Sequence, residues 1–297
     1  INKKKHNAVI WRLVDGKPGH EKQSLSLVRA LEVEIDIKVF NIKILNLLHC
    51  IFSLKEQLKK IPTPDLIIAA GHKTHMPLIL IKLLFGGKSI VIMKPSLPCN
   101  WFNLCIIPAH DKYEKKGSVF RSKGALANTK NLYKKNQKKG LILIGGISNH
   151  YKWDSNKIIS QIKELLKNNI NINYILSPSR RTPKDFIKKI RKLSYNNLQI
   201  HLIKDQKQEW LENHMNKSKY AWVSEDSISM IYESLTAGQV VGVLNLSGKK
   251  NSRIVKEVDR LKEENIIFSN KNRSYKNTLK FNNSFNEASR CAKFIVK

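Results

Sequence analysis

Cysteine is sparse in this chain and never paired as CxxC. The four cysteines, Cys50, Cys99, Cys105 and Cys291, lie in or beside apolar segments, which favours buried free thiols over disulfides or zinc ligands. The nine histidines include no HxxxH, and none stands at zinc spacing from a cysteine, so no metal is expected. Long apolar runs are missing as well. The most hydrophobic stretches, 42–54 and 76–93, are broken by Lys43, Lys82 and Lys88, so neither offers the roughly eighteen uninterrupted residues of a membrane span. The basic start, INKKKHNAVIW, runs into a strand and not into a signal-peptide core, and a cytoplasmic protein is expected. GxGxxG and the P-loop are both absent, which argues against dinucleotide binding and P-loop chemistry.

Acidic side chains are the other shortage. Fifty-four Lys and Arg against 23 Asp and Glu leave a net charge of +31. The lysines are scattered over helix faces, and no RNP-like aromatic motif, zinc finger or basic region joined to heptads accompanies them. Nucleic acid is therefore not expected as a partner, and anionic lipid headgroups or an anionic substrate suit the charge better. With 41% hydrophobic residues over 297, the chain can bury real cores, in one large or two ordinary domains.

What is present is alternation: buried strand, polar loop, helix. A strand over 9–14 runs into Asp15-Gly16-Lys17-Pro18-Gly19-His20, with a helix over 21–31 and a strand over 36–40. An apolar helix is expected over 41–60. Then come a strand over 65–70 ending in Gly71-His72-Lys73-Thr74-His75, a helix over 76–85, and strands over 89–93, 104–107 and 119–120. Residues 122–139 are polar and lysine-rich, the best linker. The pattern restarts with a strand over 141–144 running into Gly145-Gly146-Ile147-Ser148-Asn149-His150. It continues with a helix over 156–167, a strand over 173–176 ending in Ser177-Pro178-Ser179-Arg180-Arg181-Thr182-Pro183, a helix over 184–193 and a short strand over 201–203. A short helix over 210–213 precedes the strand over 221–223, the loop Ser224-Glu225-Asp226-Ser227, a helix stopping at Gly238 and a strand over 240–244. Helices near 253–264 and 285–295 close the chain. Two such series imply an α/β protein of two Rossmann-like doubly wound domains, 1–130 and 131–297, whose polar loops at strand C-termini converge on a central cleft.

Several of these loops carry residues suited to chemistry. Ser179, Arg180, Arg181 and Thr182 place two guanidinium groups and two hydroxyls before a helix start, a pattern that suits a phosphate or diphosphate. A surface arginine pair with two capping hydroxyls is the alternative. Glu233, on the helix after Ser227, could accept from both hydroxyls of a ribose, or be an exposed helix glutamate. Glu225 and Asp226 are adjacent and should point apart, one capping and one reaching a ligand. Ser224, Asp226 and Ser227 are suitable N-caps. In the first half Asp15, His20 and His72 are candidate acid/base groups on loops expected to be neighbours, with His75 and His110 weaker.

The blocks DGKPGHEKQSLSL, AAGHKTH, MKPSLP, CIIPAHD, LILIGGISNHYKWD, SPSRRTP and SEDSISMIYESLTAGQVVGVL resemble, in order, the family named for the plant mitochondrial-fission "elongated mitochondria" protein, whose bacterial members are regarded as glycosyltransferases. The resemblance runs from about residue 11 to about residue 251. It implies the GT-B architecture, similar to the lipid-linked N-acetylglucosamine transferase of peptidoglycan synthesis, with a nucleotide-sugar donor held by the second domain. By that resemblance Glu233 would bind the ribose of the donor and Ser179, Arg180 and Arg181 its diphosphate. Gly146, Ser148, Thr182, Glu225, Asp226 and Ser227, on the same strand-end loops, are expected to complete the donor site. Gly16, Lys17 and Gly19 would form the acceptor-side loop, and His20, Asp15 and His72 the catalytic groups. No metal and no cofactor beyond the nucleotide-sugar are implied, and the acceptor would be an envelope glycan or lipid, with the apolar 42–54 region touching the inner membrane face. The first loop, DGKPGH, departs from the longer glycine run of the peptidoglycan enzyme. A non-catalytic peripheral membrane adaptor and a nucleotide-sugar 2-epimerase are the alternatives.

Overall fold

The structure is a computed structural model, describing residues 7–45, 55–109, 111, 113, 117–127, 135–202, 210–269 and 285–297. The chain forms two compact units: Ile1–Asn128 with Asn286–Lys297, and Thr129–Phe285.

The first unit is a six-stranded, wholly parallel sheet. Its strands are β1 (Ala8–Val14), β2 (Ile37–Lys43), β3 (Leu66–Ala70), β4 (Lys88–Ile92), β5 (Leu104–Pro108) and β6 (Val119–Ser122), in the order β2-β1-β3-β4-β5-β6. Its helices are α1 (Pro18–Glu34), a single turn α2 (Lys55–Leu58) and α3 (His75–Phe85). Alternation along the strands divides the apolar residues between two faces. Ile10, Ile68, Ile90 and Ile106 pack with Leu27, Val28 and Leu31 of α1. Trp11, Leu13, Ile67, Val91 and Ile107 pack with Leu78 and Ile81 of α3.

The second unit repeats the plan. Its main sheet contains β7 (Asn136–Ile144), β9 (Asn173–Pro178), β10 (Leu198–Ile200), β11 (Ser218–Ser224), β12 (Val240–Leu244) and β14 (Phe268–Ser269), ordered β10-β9-β7-β11-β12-β14 and parallel throughout. A small antiparallel pair joins β8 (Tyr151–Lys152) to β13 (Ser247–Gly248). The helices are α4 (Ser155–Asn168), α5 (Lys184–Ile190), α6 (Trp210–Lys217), α7 (Ile228–Thr236) and α8 (Arg253–Glu263). Helix α4 is capped by Asp154, which accepts from the Lys157 N–H, and it buries Ile158, Ile162, Leu165 and Leu166 against Ile142, Ile144 and Leu176.

The closing helix α9 (Glu287–Val296) belongs to the first unit, so the second unit ends at Phe285. Its buried stripe, Ala288, Cys291 and Ala292, lies in the core that α1 covers. Small side chains on that stripe permit close helix packing. Buried Glu287 accepts from the Lys123 N–H at 2.7 Å and pairs with Arg290 at 2.6 Å.

Several boundaries differ from the sequence-based expectation. Helix α1 begins at Pro18, because proline's fixed φ suits the first helical turn, so Gly19 and His20 are helical and only Asp15-Gly16-Lys17 is loop. Residues 41–43 extend β2 and are not helix; most of the apolar helix expected over 41–60, with Cys50, lies outside the described residues, as does His110. Strand β7 starts at Asn136, inside the expected linker, because its first residues pair with β11 at Ser218. The short edge strand is 198–200, and Ile203 is outside the described residues. Cys99, Cys105 and Cys291 are free thiols, the last two buried.

Candidate functional site

In an open α/β sheet the loops splay apart where the strand order reverses, leaving a crevice at the strand C-termini. The order of the first sheet reverses between β1 and β3, and that of the second between β7 and β11. Both positions carry sequence-predicted residues.

At the first position Asp15 directly follows β1, its side chain fully buried, and its Oδ2 lies 2.8 Å from Nδ1 of His20. A buried carboxylate on Nδ1 fixes the imidazole with its proton on that nitrogen and leaves Nε2 as the basic one. Gly71, at the end of β3, passes directly behind this pair: a Cβ there would stand 2.0 Å from His20 Nδ1 and 2.8 Å from Asp15 Oδ2. With φ at +97°, only glycine fits the position readily. The two loops therefore meet at Gly71. Arg12 secures the start of α1 from below, donating to Asn41 Oδ1 at 2.7 Å, to the Glu21 carbonyl at 2.9 Å and to Ser24 Oγ at 3.2 Å.

His72 follows Gly71 and is exposed, its ring 5.5 Å from that of buried His75. His75 Nδ1 accepts from the Ser96 N–H at 3.2 Å and lies 2.9 Å from Ser96 Oγ, tying the Lys94–Pro98 loop to α3. Burial first, then the charges of His72 and His20, lower the His75 pKa to about 4. The Gly16 N–H donates to Glu21 Oε1 at 2.9 Å and the Lys17 N–H to Asp15 Oδ1 at 3.1 Å, so this loop is held by its own carboxylates. A Cβ at Gly19 would meet nothing within 4 Å, so packing does not require glycine there.

At the second position Asp226, its side chain fully buried, gathers three elements. Its Oδ2 accepts from the Gly146 N–H at 2.8 Å and from Arg181 Nη2 at 3.1 Å, and its Oδ1 accepts from Ser224 Oγ at 2.7 Å. Ser224 Oγ in turn accepts from the Gly145 N–H at 2.8 Å. Burial raises the Asp226 pKa, opposed by these donors and by the charge of Arg181. Gly146 adopts φ +143°, and a Cβ there would stand 2.1 Å from the Arg181 carbonyl oxygen, so the two loops cross backbone to backbone.

The hydroxyls of the Ser179–Thr182 loop are directed inward. Ser179 Oγ donates to the Gly145 carbonyl, and Thr182 Oγ1 lies 2.6 Å from Gly145 O and 3.1 Å from Ile144 O. Arg181 also donates to the Ile147 carbonyl at 2.9 Å. Arg180, like Arg181, is exposed. Glu225 turns away from Asp226, accepting from the Leu246 N–H at 2.7 Å and from Lys262 Nζ at 2.5 Å. Ser227 occupies the N-cap of α7, yet its side chain makes no capping bond. Glu233 is buried on α7, not an exposed helix glutamate. The helix carrying it is fixed through Tyr232, whose hydroxyl donates to buried Glu257, itself paired with Arg260 at 2.8 Å.

A cavity of about 440 Å³ opens beside Asp226 and Arg181, lined also by Ile147, Ser148, Asn149, His150, Ile228 and Ile254. His150 Nδ1 lies 3.0 Å from Ser252 Oγ, the N-cap of α8. Burial, followed by the charges of Arg253, Lys249 and Arg181, lowers the His150 pKa. His150, Gly71, Arg12 and the His75–Ser96 tie were not singled out as site elements from the sequence. Gly71 and His150, each in a polar loop at a strand's end, were their visible signals. Among the described residues no group of three or more His, Cys, Asp or Glu is placed to hold a metal ion, and no helix is long and apolar enough to cross a membrane.

Two parallel sheets flanked by helices, each with its polar loops at a switch point, define a two-domain Rossmann-like protein of the GT-B class. The family profile described as Mitochondrial fission ELM1 matches residues 18–297, and the chain belongs to that family. The uncharacterized protein RP120 of Rickettsia prowazekii (strain Madrid E) is 24% identical, over 77% of this chain and 81% of its own. Among solved structures, the UDP-GlcNAc 2-epimerase of Methanocaldococcus jannaschii, in complex with UDP-GlcNAc and UDP, is similar at TM-score 0.53 and 13% identity, covering 98% of this chain and 99% of that one. The UDP-GlcNAc 2-epimerase of Neisseria meningitidis bound to UDP-GlcNAc reaches 0.51 at 14% identity, covering 97% and 98%. The glycotransferase of kitacinnamycin reaches 0.51 at 11%, covering 97% and 91%. At these identities the likeness is one of fold.

Proposed function

We propose that the chain is a glycosyltransferase that takes a sugar from a nucleotide-sugar and transfers it to a hydroxyl of an envelope glycan or lipid. The observation that carries this reading is the second switch point. There Asp226 ties Gly146 to Arg181, Asp226 and Arg181 line a cavity, and the helix that follows carries buried Glu233. Guanidinium groups suit a diphosphate, and a carboxylate suits the paired hydroxyls of a ribose.

In this reading the base is His20. His20 Nε2 takes the proton of the acceptor hydroxyl while Asp15, on Nδ1, stabilises the imidazolium that forms. The acceptor oxygen bonds to the anomeric carbon as the bond to the diphosphate oxygen breaks, and the nucleoside diphosphate leaves with the electron pair. The guanidinium groups of Arg180 and Arg181 balance the charge on that leaving group. No cofactor beyond the donor takes part, and the donor fold requires no metal in this scheme.

The test is product analysis with UDP-N-acetylglucosamine and a lipid-linked saccharide acceptor. Release of UDP that depends on the acceptor, and that His20→Ala abolishes, is the expected result. Inversion at C2 of the sugar with no acceptor present would instead establish the 2-epimerase reading, which the fold of the M. jannaschii and N. meningitidis structures raises.

A further inference from the structure

We propose that the outward face of α3, together with Trp101, docks the chain on an anionic lipid bilayer. Helix α3, HMPLILIKLLF, is apolar almost all the way round. Such a helix is normally buried on every side. Here Leu78 and Ile81 face the sheet, while Met76, Ile79, Leu80, Leu83 and Leu84 recur at the i, i+3, i+4, i+7, i+8 spacing that makes one continuous stripe on the opposite side. Three residues of that stripe stand in solvent, Met76 42%, Leu83 74% and Leu84 53% exposed, with Leu80 half-buried between them and Ile79 at the stripe's edge, packed partly against the core. Trp101, 48% exposed, adjoins the stripe through Lys82, whose Nζ donates to its carbonyl at 3.4 Å. Tryptophan at the rim of an apolar face suits a headgroup boundary.

Charge selects the occupant. Residues 66–109 contain four lysines, Lys73, Lys82, Lys88 and Lys94, and not one Asp or Glu. Lys73, Lys88 and Lys94 are exposed. With exposed Asp65 beside Lys88 counted, four lysines of this segment stand against one carboxylate, which the Val9 N–H holds. An apolar stripe in so basic a segment complements a surface that is apolar within and anionic at its headgroups. The first unit makes this surface by itself, so the inference stands whether or not sugar transfer is the activity.

Sedimentation of the full chain with vesicles of phosphatidylglycerol and phosphatidylcholine, against phosphatidylcholine alone, tests it. Wild type should pellet with the anionic vesicles and be released by salt. The Leu83→Glu/Leu84→Glu double variant should partition about tenfold more weakly or worse at an unchanged melting temperature. Ile170→Glu, at an exposed apolar residue of the other unit, should behave as wild type. The Lys73→Gln/Lys88→Gln/Lys94→Gln variant, with the stripe intact, should also weaken binding and lose its salt response. Equal partitioning of the stripe variant and wild type would overturn the proposal, as would equal binding to neutral vesicles. A lipid-free wild-type dimer that the stripe variant dissolves would also overturn it, by showing the face covered by a second copy.

Discussion

Gly71 and His20 are in van der Waals contact across the first switch point, so closely that a methyl group on Gly71 would lie 2.0 Å from the imidazole Nδ1. This contact joins two loops that are distant in sequence. Gly71→Ala should push His20 off the Asp15 carboxylate and strain a backbone at φ +97°, costing on the order of 1–3 kcal/mol in stability and most of the activity. Gly19→Ala is the control. Nothing lies within 4 Å of a Cβ there, and alanine in a helix should raise stability by about 0.5–1 kcal/mol. Melting temperatures of the two variants should move in opposite directions.

Asp15→Asn keeps the size of the side chain but removes the charge that stabilises His20 as an imidazolium. The turnover rate should fall by about 10²–10⁴-fold, the usual contribution of a positioned base. His20→Ala should fall by a similar amount, and the double variant little further, because the pair acts as one unit. Steady-state kinetics of the three variants check this.

The loops that hold these residues were legible as a repeated strand, loop and helix, since buried strands and polar strand ends have distinct compositions. What joins them was not. Asp15 meets Gly71 because β1 and β3 pair in parallel, and Gly146 meets Arg181 because β7 pairs with β9. Such pairings lie between distant residues and leave no local pattern. The Ser179–Thr182 loop shows the consequence. Its residue types suited a phosphate, yet the two hydroxyls and Arg181 bind the Gly145–Ile147 backbone and Asp226. The alternation of Glu225 and Asp226 was readable, whereas the partner of Glu225, Lys262, sits on a helix far along the chain.

Arg180 and Arg181, adjacent in sequence, should behave differently. Arg180→Ala, at an exposed position, should change stability by less than about 0.5 kcal/mol. Arg181→Ala removes a donor from buried Asp226, whose pKa burial already raises. A carboxyl with a raised folded-state pKa stays protonated in the folded state where the unfolded chain has released its proton. Its contribution is therefore most favourable below the ordinary carboxylate range and declines as pH rises through the folded value. Arg181→Ala should steepen that decline, measured by urea unfolding across acidic to neutral pH.

His75 should impose a pH dependence of the opposite sense. Its folded pKa is lowered to about 4 from 6.5. Between those values the unfolded chain binds a proton that the folded chain does not, so stability is full above about pH 6.5 and falls as pH drops towards 4. His75→Asn, whose amide oxygen can accept from the Ser96 N–H, should flatten the slope in that window. Unfolding free energies at several pH values, wild type against variant, check it.

Sugar transfer from a nucleotide donor requires the second unit to hold a nucleotide, and thermal unfolding with UDP, GDP, CMP and ADP, for wild type and Glu233→Gln, tests this most directly. A nucleotide at a hundred times its Kd stabilises the folded state by about 2.7 kcal/mol. One member of the series should raise the wild-type melting temperature by several degrees, and Glu233→Gln, which keeps the buried side chain's size, should lose that shift. No shift with any nucleotide, or an equal shift in the variant, would contradict a donor site built around Glu233.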